Sequence, residues 1–461
     1  MKLTADEIVA ATGGRLAAGP GGATVHSVGT DSRRVEAGSL FVALRGERFD
    51  AHEFAREAAA AGAGALLVER EIDVASADVA VIVVGDSLRA LGDLAAAWRA
   101  RFDVPVVAIT GSNGKTTTKD MLRSVLEAAY GKGAVLATKG NFNNLIGMPL
   151  TLLRLRPQHR AAVVEMGMNA PGEIARLTEI ARPTVGAITC VGAAHLEGLG
   201  SIEAIARAKA ELYRGLPDDA VAVVNVDDPL VRAEAAELGG ERVDFGDGGD
   251  PSASAVEAVA ADRVSFSLGY ASSTAAVVLP IGGRHNVTNA LAAAGCARAL
   301  GVELDCVVRG LESFTPPPMR LAPRVLDNGV LILNDAYNAN PSSFDAALDT
   351  LTDHDGGRHL VVLGDMLELG DGAESWHRRA GRHAAERGAW MVVGVGEHAE
   401  SVCAGADEAG LERAVACTDH EVAAGQIVAV WRRGDAVLVK GSRGSAMERV
   451  VEALEREAGA K

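Results

Sequence analysis

Lys115 follows a glycine and precedes three threonines. The stretch around it, Val106-Val107-Ala108-Ile109-Thr110-Gly111-Ser112-Asn113-Gly114-Lys115-Thr116-Thr117-Thr118, gathers the groups that an oligophosphate needs. A β-branched strand runs into a glycine-rich turn, and the Lys-Thr pair then opens a helix. Unpaired backbone N–H groups, the positive end of a helix dipole and one ammonium converge on a single point, with the Thr116 hydroxyl placed to reach a bound Mg²⁺. Gly111, Ser112, Asn113, Gly114, Lys115, Thr116 and Thr117 are therefore the candidate nucleotide cradle. The usual phosphate loop has a glycine five residues before the Gly-Lys pair; here that position is Ile109, and Gly111 stands three residues before Gly114. The loop is a shortened variant. A plain strand–turn–helix corner would need neither the lysine nor the run of threonines.

Other apolar runs end in polar groups too. Ala161 to Val164 ends in Glu165, and a carboxylate at a strand end holds a divalent cation through oxygen, as Mg²⁺ requires, or is simply a solvated acid. Val185 to Val191 leads to His195, alone a turn residue, but beside Glu165 and the loop a candidate metal ligand or phosphate contact. Lys209 stands one step off the helical stripe Ile205, Ala208, Leu212 and Leu216 and by itself reads as a solvated helix charge. Asn225-Val226-Asp227-Asp228-Pro229 reads as turn and cap. In Gly283-Arg284-His285-Asn286-Val287-Thr288-Asn289, Asn286 suits a helix cap and Asn289 faces a purine in the sharper reading. Asn334-Asp335-Ala336-Tyr337-Asn338-Ala339-Asn340-Pro341 offers a carboxylate, a phenol and three carboxamides at a strand end. Gly364 to Gly370 and Lys440-Gly441-Ser442-Arg443-Gly444 occupy equivalent exits, the second cationic and suited to a carboxylate or phosphate.

The elements that must position these groups are parallel sheets, because ligands of such sheets collect at the C-terminal strand ends. Residues 1 to about 103 alternate short strands with an Ala-rich helix: Ser39 to Leu44 and Ala65 to Val68 read as strand, Ala51 to Ala61 as helix. From Val104 the chain repeats strand then helix, with continuous apolar strands that imply a sheet covered on both faces. Gly246 to Ser254 reads as a surface loop leading into a β-like segment through Leu279. Thr315-Pro316-Pro317-Pro318-Met319 reads as a stiff hinge. Four strand–helix units are expected beyond it, with strands at Val330 to Asn334, His359 to Leu363, Trp390 to Val393 and Ala436 to Val439, closed by a helix carrying Met447, Val450, Val451 and Leu454. The expected fold is α/β in three domains: a small α/β N-terminal domain (1–103), a central phosphate-loop parallel-sheet ATPase domain (104–319) and a C-terminal Rossmann-like domain (320–461).

Composition narrows the partners. The 461 residues are 48% apolar and 23% charged, ample for several cores. A net charge of −16 argues against non-specific nucleic-acid binding. The N-terminus is acidic where a signal peptide would be cationic, and no apolar run suffices to span a bilayer. The five cysteines are scattered with no C-x-x-C pair, as expected of reduced thiols in a cytoplasmic protein. A monomer is expected.

Together these residues resemble the Mur ligase family, the ATP-dependent amide-bond formers of peptidoglycan synthesis. The shortened loop is the family's variant, and Asp31-Ser32-Arg33, Gly140-Asn141-Phe142-Asn143-Asn144-Leu145-Ile146-Gly147, Ala194-His195-Leu196-Glu197-Gly198, the Asp335 to Pro341 cluster, Gly364 to Gly370 and Lys440 to Arg443 follow in the family's order along the whole chain. The resemblance implies ATP and Mg²⁺ as cofactors, with UDP-N-acetylmuramoyl-tripeptide and D-alanyl-D-alanine as substrates. It gives Ser32 and Arg45 to the UDP end, Asn143 and Asn144 to the muramyl peptide, and Asn289, Arg320 and Asp335 to the nucleotide. Thr116, Glu165, His195 and Lys209 fall to the metal centre, Tyr337, Asn338, Asn340 and Arg443 to the dipeptide, and Lys115, Lys209 and His195 to catalysis. It also reverses the bland reading of Lys209, which matches a lysine carbamylated by CO₂: an ammonium repels Mg²⁺, whereas a carbamate oxygen ligates it. The rivals are a sibling ligase, a folylpolyglutamate synthase-like enzyme, or an ATP-dependent switch that forms no bond.

Overall fold

In the computed structural model, which describes residues 1–46, 49–194, 196–354 and 356–459, three sheets organise the chain. The central one has six strands, all parallel, in the order Glu241–Phe245, Val221–Asn225, Val185–Ile188, Val106–Thr110, Ala161–Glu165, Val135–Ala137. Every residue of Val106–Thr110, Ala161–Glu165 and Val221–Asn225 is buried, so these strands show no alternation. Helices on both faces cause this. On one face, Val107, Ile109 and Val163 pack against Met121, Leu122 and Val125 of helix Lys115–Tyr130 and against Ala290 and Ala294 of helix His285–Ala299. On the other, Val106, Ala108 and Val164 share a core with Ile174 and Leu177 of helix Glu173–Ala181. That core also takes in Leu91, Leu94 and Trp98 of helix Ser87–Arg99, which joins the N-terminal sheet to the central one.

The N-terminal sheet has five strands in the order Arg15–Ala18, Ala80–Val83, Ala65–Val68, Ser39–Val42, Ser27–Gly29, parallel except at the first pair. Between central strand Glu241–Phe245 and helix His285–Ala299, three antiparallel strands (Ser252–Ala260, Arg263–Tyr270 and Ser273–Leu279) form a separate small sheet. Its middle strand buries Val264, Phe266, Leu268 and Tyr270 in alternation. The expected loop at Gly246 to Ser254 is thus shorter than its composition suggests, since pairing starts at Ser252.

The C-terminal sheet corrects the expectation of four strand–helix units. Five parallel strands are present, and a sixth, Ala322–Val325, pairs antiparallel at the edge beside Leu331–Asp335. The unforeseen parallel strand, Ala414–Cys417, is short and half-buried at the other edge, so it lacks a long apolar run. Ala322–Val325 contains Pro323, which an edge strand tolerates. No helix among the described residues is long and apolar enough to cross a membrane.

Candidate functional site

The carboxyl ends of the central and C-terminal sheets open onto one cleft of about 700 Å³. Its walls include Ser112 to Thr117, Asn143, Asn144, Glu165, Asn289, Arg320, Asp335, Tyr337, Asn338, Asn340 and Arg443, which the sequence places in separate motifs. Ser32 and Arg45 line neither this cleft nor the second one described below. Ser32 begins a short 3-10 turn capped by Asp31, and Arg45 is exposed beside Asp50. His195 lies outside the described residues.

The loop after Val106–Thr110 is held to the next strand exit. Ser112 N–H donates to Cys190 O (2.8 Å), the Ser112 hydroxyl donates to Gly192 O (3.0 Å), and Thr189 Oγ1 donates to Asn113 O (2.5 Å). Two glycines are indispensable to this closeness. A Cβ on Gly111 would lie 1.9 Å from Thr189 Oγ1, and one on Gly114, whose φ is +81°, would lie 2.0 Å from Asn289 Oδ1. Asn289 also donates to Asn286 Oδ1 (2.9 Å), and Asn286 donates to Gly282 O (2.7 Å). Asn286 therefore sits inside the first turn of its helix, contrary to its expected capping role, and ties that turn to the preceding chain.

Lys115 donates from Nζ to Gly111 O (2.7 Å), folded back over the phosphate loop. Burial pulls its pKa down, against the attraction of Glu165. Lys209 is 1% exposed, and its pKa is held well below the usual lysine range by burial first and by the nearby Lys115 charge second. Among the described residues none accepts a hydrogen bond from it. Lys209 is thus not the solvated charge that its helical stripe alone suggests but a buried amine biased toward its neutral form.

Thr116 Oγ1 donates to Glu165 Oε2 (2.9 Å), and Asn143 Nδ2 donates to Glu165 Oε1 (2.8 Å). Hydroxyl and carboxylate oxygens at the mouth of a phosphate loop are hard ligands of the kind Mg²⁺ takes, with phosphate and water completing its shell. Among the described residues no group of three His, Cys, Asp or Glu could hold a metal unaided. The donor set therefore fits an ion that arrives with a phosphate. Asn144 has a local role as well: its Oδ1 accepts from Ile146 N and Gly147 N and starts helix Gly147–Leu152.

The facing wall comes from the C-terminal sheet. Arg320 Nη2 donates to Thr116 Oγ1 (3.0 Å), and its guanidinium lies 4.3 Å from the Tyr337 ring centroid. Its neighbours Met319 and Leu321 both have left-handed φ, 57° and 49°. Such strain persists only where the surroundings impose it: Met319 O accepts from Tyr337 N (3.1 Å) and Leu321 N donates to Asp335 Oδ1 (3.0 Å). The other Asp335 oxygen pairs with Lys440, which is 2% exposed and also donates to Asn338 O (3.0 Å). Asp335 lines the cleft, and its two oxygens are engaged by Leu321 N, next to Arg320, and by Lys440. Lys440 was legible only as part of a cationic motif; the signal was a lysine closing the wholly buried strand Ala436–Lys440.

Asn340 caps helix Pro341–Thr352 and reaches across the cleft, donating to Asn113 Oδ1 (2.8 Å), while Asn113 donates to Ser342 Oγ (2.8 Å). These bonds hold the phosphate loop against the C-terminal domain. Arg443 is exposed at the lip, paired with Glu448 (2.8 Å). His285 also lines the cleft; burial pushes its pKa down to about 4.

Fold and site define a three-domain phosphate-loop protein with a cleft of ligand-binding size between its central and C-terminal sheets. Family models match in three consecutive segments: the Mur ligase family catalytic domain at 24–99, the Mur ligase middle domain at 109–297, and the Mur ligase glutamate ligase domain at 319–443. The chain belongs to the Mur ligase family. It is 40% identical to the UDP-N-acetylmuramoyl-tripeptide--D-alanyl-D-alanine ligase of Escherichia coli, over 94% of each chain. The crystal structure of MurF from Acinetobacter baumannii superposes with a TM-score of 0.91 at 37% identity, covering 99% of both chains. MurF of Thermotoga maritima in complex with ADP gives 0.84 at 31% identity, covering 95% of this chain and 98% of that one.

Proposed function

We propose that this chain joins D-alanyl-D-alanine to UDP-N-acetylmuramoyl-tripeptide at the expense of ATP, giving the pentapeptide precursor of peptidoglycan. The observation that carries the reading is the reach of Arg320 to Thr116, which brings the C-terminal strand ends onto the phosphate loop. Similarity to relatives bearing that activity in their name, over nearly the full length of both chains, supports it.

A carboxylate is a poor electrophile, and its condensation with an amine in water is unfavourable. In the proposed reaction the tripeptide's terminal carboxylate oxygen attacks the γ-phosphorus of ATP and ADP leaves. The amine of D-alanyl-D-alanine then attacks the acyl carbon, the C–O bond to phosphate breaks, and the amine proton is lost. Phosphoryl transfer needs positioning and charge neutralisation, which fall to Lys115, the loop N–H groups and Arg320. Thr116 and Glu165, together with a phosphate, would hold Mg²⁺, and the ion when bound would add Lewis-acid neutralisation. His195 and Lys209 are the further proposed members of that centre. The burial that lowers the Lys209 pKa favours addition of the amine to CO₂, with release of a proton, to give a carbamate. Asn340 and Ser342 clasp Asn113, and closure of this kind would keep water from the acyl phosphate.

We assign residues 1–103 to the UDP end, 104–319 to ATP and Mg²⁺, and 320–461 to the dipeptide, with Tyr337, Asn338 and Arg443 nearest it. Asn143 and Asn144 serve the muramyl peptide. A second cleft of about 310 Å³ lies beside Asp31, lined by Arg34, Arg154, Arg156 and Phe142. Phe142 faces this second cleft, whereas its neighbours Asn141 and Asn143 face the main one. An elongated substrate with its nucleotide in the second cleft and its carboxylate at Glu165 would span both. The test is phosphate release measured with each substrate omitted in turn. Release that needs both UDP-tripeptide and D-alanyl-D-alanine is expected; release that ignores them would leave only an ATP-hydrolysing switch.

A further inference from the structure

Glu165 and a buried lysine that does not line the cleft both bond to Thr138. In the pairing of Ala161–Glu165 with Val135–Ala137, the last matched residues are Val163 and Ala137, and Thr138 N–H donates to Val163 O (3.1 Å). A parallel ladder continued by one step would send the Glu165 N–H to Thr138 O. That carbonyl accepts from a lysine of the adjacent helix. Lys119, 3% exposed on helix Lys115–Tyr130, donates to it from Nζ at 2.8 Å and offsets its own charge against Asp120 at 3.1 Å. The Glu165 N–H goes instead to the Thr138 hydroxyl, at 3.0 Å. The chain then leaves the sheet and returns through Asn143, whose carboxamide holds Glu165 Oε1 (2.8 Å).

We infer that Lys119 is a positioning residue for the carboxylate of Glu165. By taking the Thr138 carbonyl it ends the ladder just before Glu165, directs the Glu165 N–H to a hydroxyl, and sets where Oε2 meets Thr116. Groups of this kind fix the orientation of a metal-binding carboxylate without touching the ion. The inference rests on the proposed reading of Glu165 as a Mg²⁺ ligand.

The test is Mn²⁺ titration of the full-length protein with ADP, followed by electron paramagnetic resonance, with ADP affinity without metal and melting temperature measured alongside. Lys119→Met and Thr138→Val should each weaken Mn²⁺ binding by about tenfold or more, and ADP affinity without metal should hold. Thr138→Ser, which keeps the hydroxyl, should bind Mn²⁺ as the wild type does. The double variant should be no worse than the weaker single one, because both changes break the same link. Wild-type Mn²⁺ affinity in a folded Lys119→Met protein overturns the inference, as does equal affinity of Thr138→Val and Thr138→Ser. If Lys119→Met does not fold, the two Thr138 variants decide the matter alone. Glu165→Gln separates the two layers: if it too binds Mn²⁺ normally, the ligand reading itself fails and the positioning role falls with it.

Discussion

Two parallel sheets bring their strand ends to one cleft, and they treat their cations in opposite ways. At the central sheet, Lys115 rests on loop carbonyls and Lys209 has no hydrogen-bond partner among the described residues, with burial depressing both pKa values. At the C-terminal sheet, Lys440 is paired with Asp335 and Arg443 with Glu448. A buried amine with no directly paired carboxylate is biased toward its neutral form, Lys115 against the attraction of Glu165. A paired one is already satisfied. In the proposed reading the central strand ends take phosphate, metal and CO₂, whereas the C-terminal ones hold Arg320 in place.

The comparison breaks most sharply at its two lysines. Lys115→Ala should lower turnover by about a thousandfold or more with little change in melting temperature, measured by coupled ADP release. Near-normal turnover would remove the phosphate-loop reading. Lys440→Met should do the reverse and act first on stability, because it strands the Asp335 carboxylate. A loss of about 3–5 kcal/mol is expected, read from the denaturant midpoint; a midpoint equal to that of the wild type would show the pair to be idle. Between these extremes, Lys209→Ala should be inactive yet partly restored by short-chain carboxylic acids in the assay, since they replace the carbamate oxygens. Absence of any rescue would argue for a purely structural amine.

The smallest effect concerns His285. Its folded pKa of about 4 lies below the usual 6.5, so the unfolded chain binds the extra proton between those values. Its contribution to stability is complete above pH 6.5 and declines as pH falls toward 4. Thermal unfolding of His285→Gln should therefore depend less on pH across that window than the wild type does. Identical pH profiles would place the acid sensitivity elsewhere.

Much of this contrast was legible in the sequence. The phosphate loop, Glu165 and the polar exits at Asp335 and Lys440 stand where apolar runs stop, and a parallel sheet gathers such exits at one edge. The edge strands Ala322–Val325 and Ala414–Cys417 escaped because edges need no continuous apolar run. Pairings between distant residues escaped for a different reason. Nothing local distinguishes Lys440 as a partner of Asp335, Asn340 as a clasp on Asn113, or Lys119 as a support for Thr138; each acquires its role only when the sheets stack. Ser32 and Arg45, which the resemblance gives to the UDP end, line neither cleft, whereas Asp31 and Arg34 line the second one.

The central claim is that the cleft makes an acyl phosphate between the two sheets, and isotope transfer tests it directly. UDP-tripeptide labelled with ¹⁸O in its terminal carboxylate would be turned over with ATP and D-alanyl-D-alanine, and the released phosphate weighed by mass spectrometry. The account predicts one ¹⁸O atom in each phosphate, carried over when the C–O bond of the acyl phosphate breaks. Unlabelled phosphate alongside normal product would contradict it.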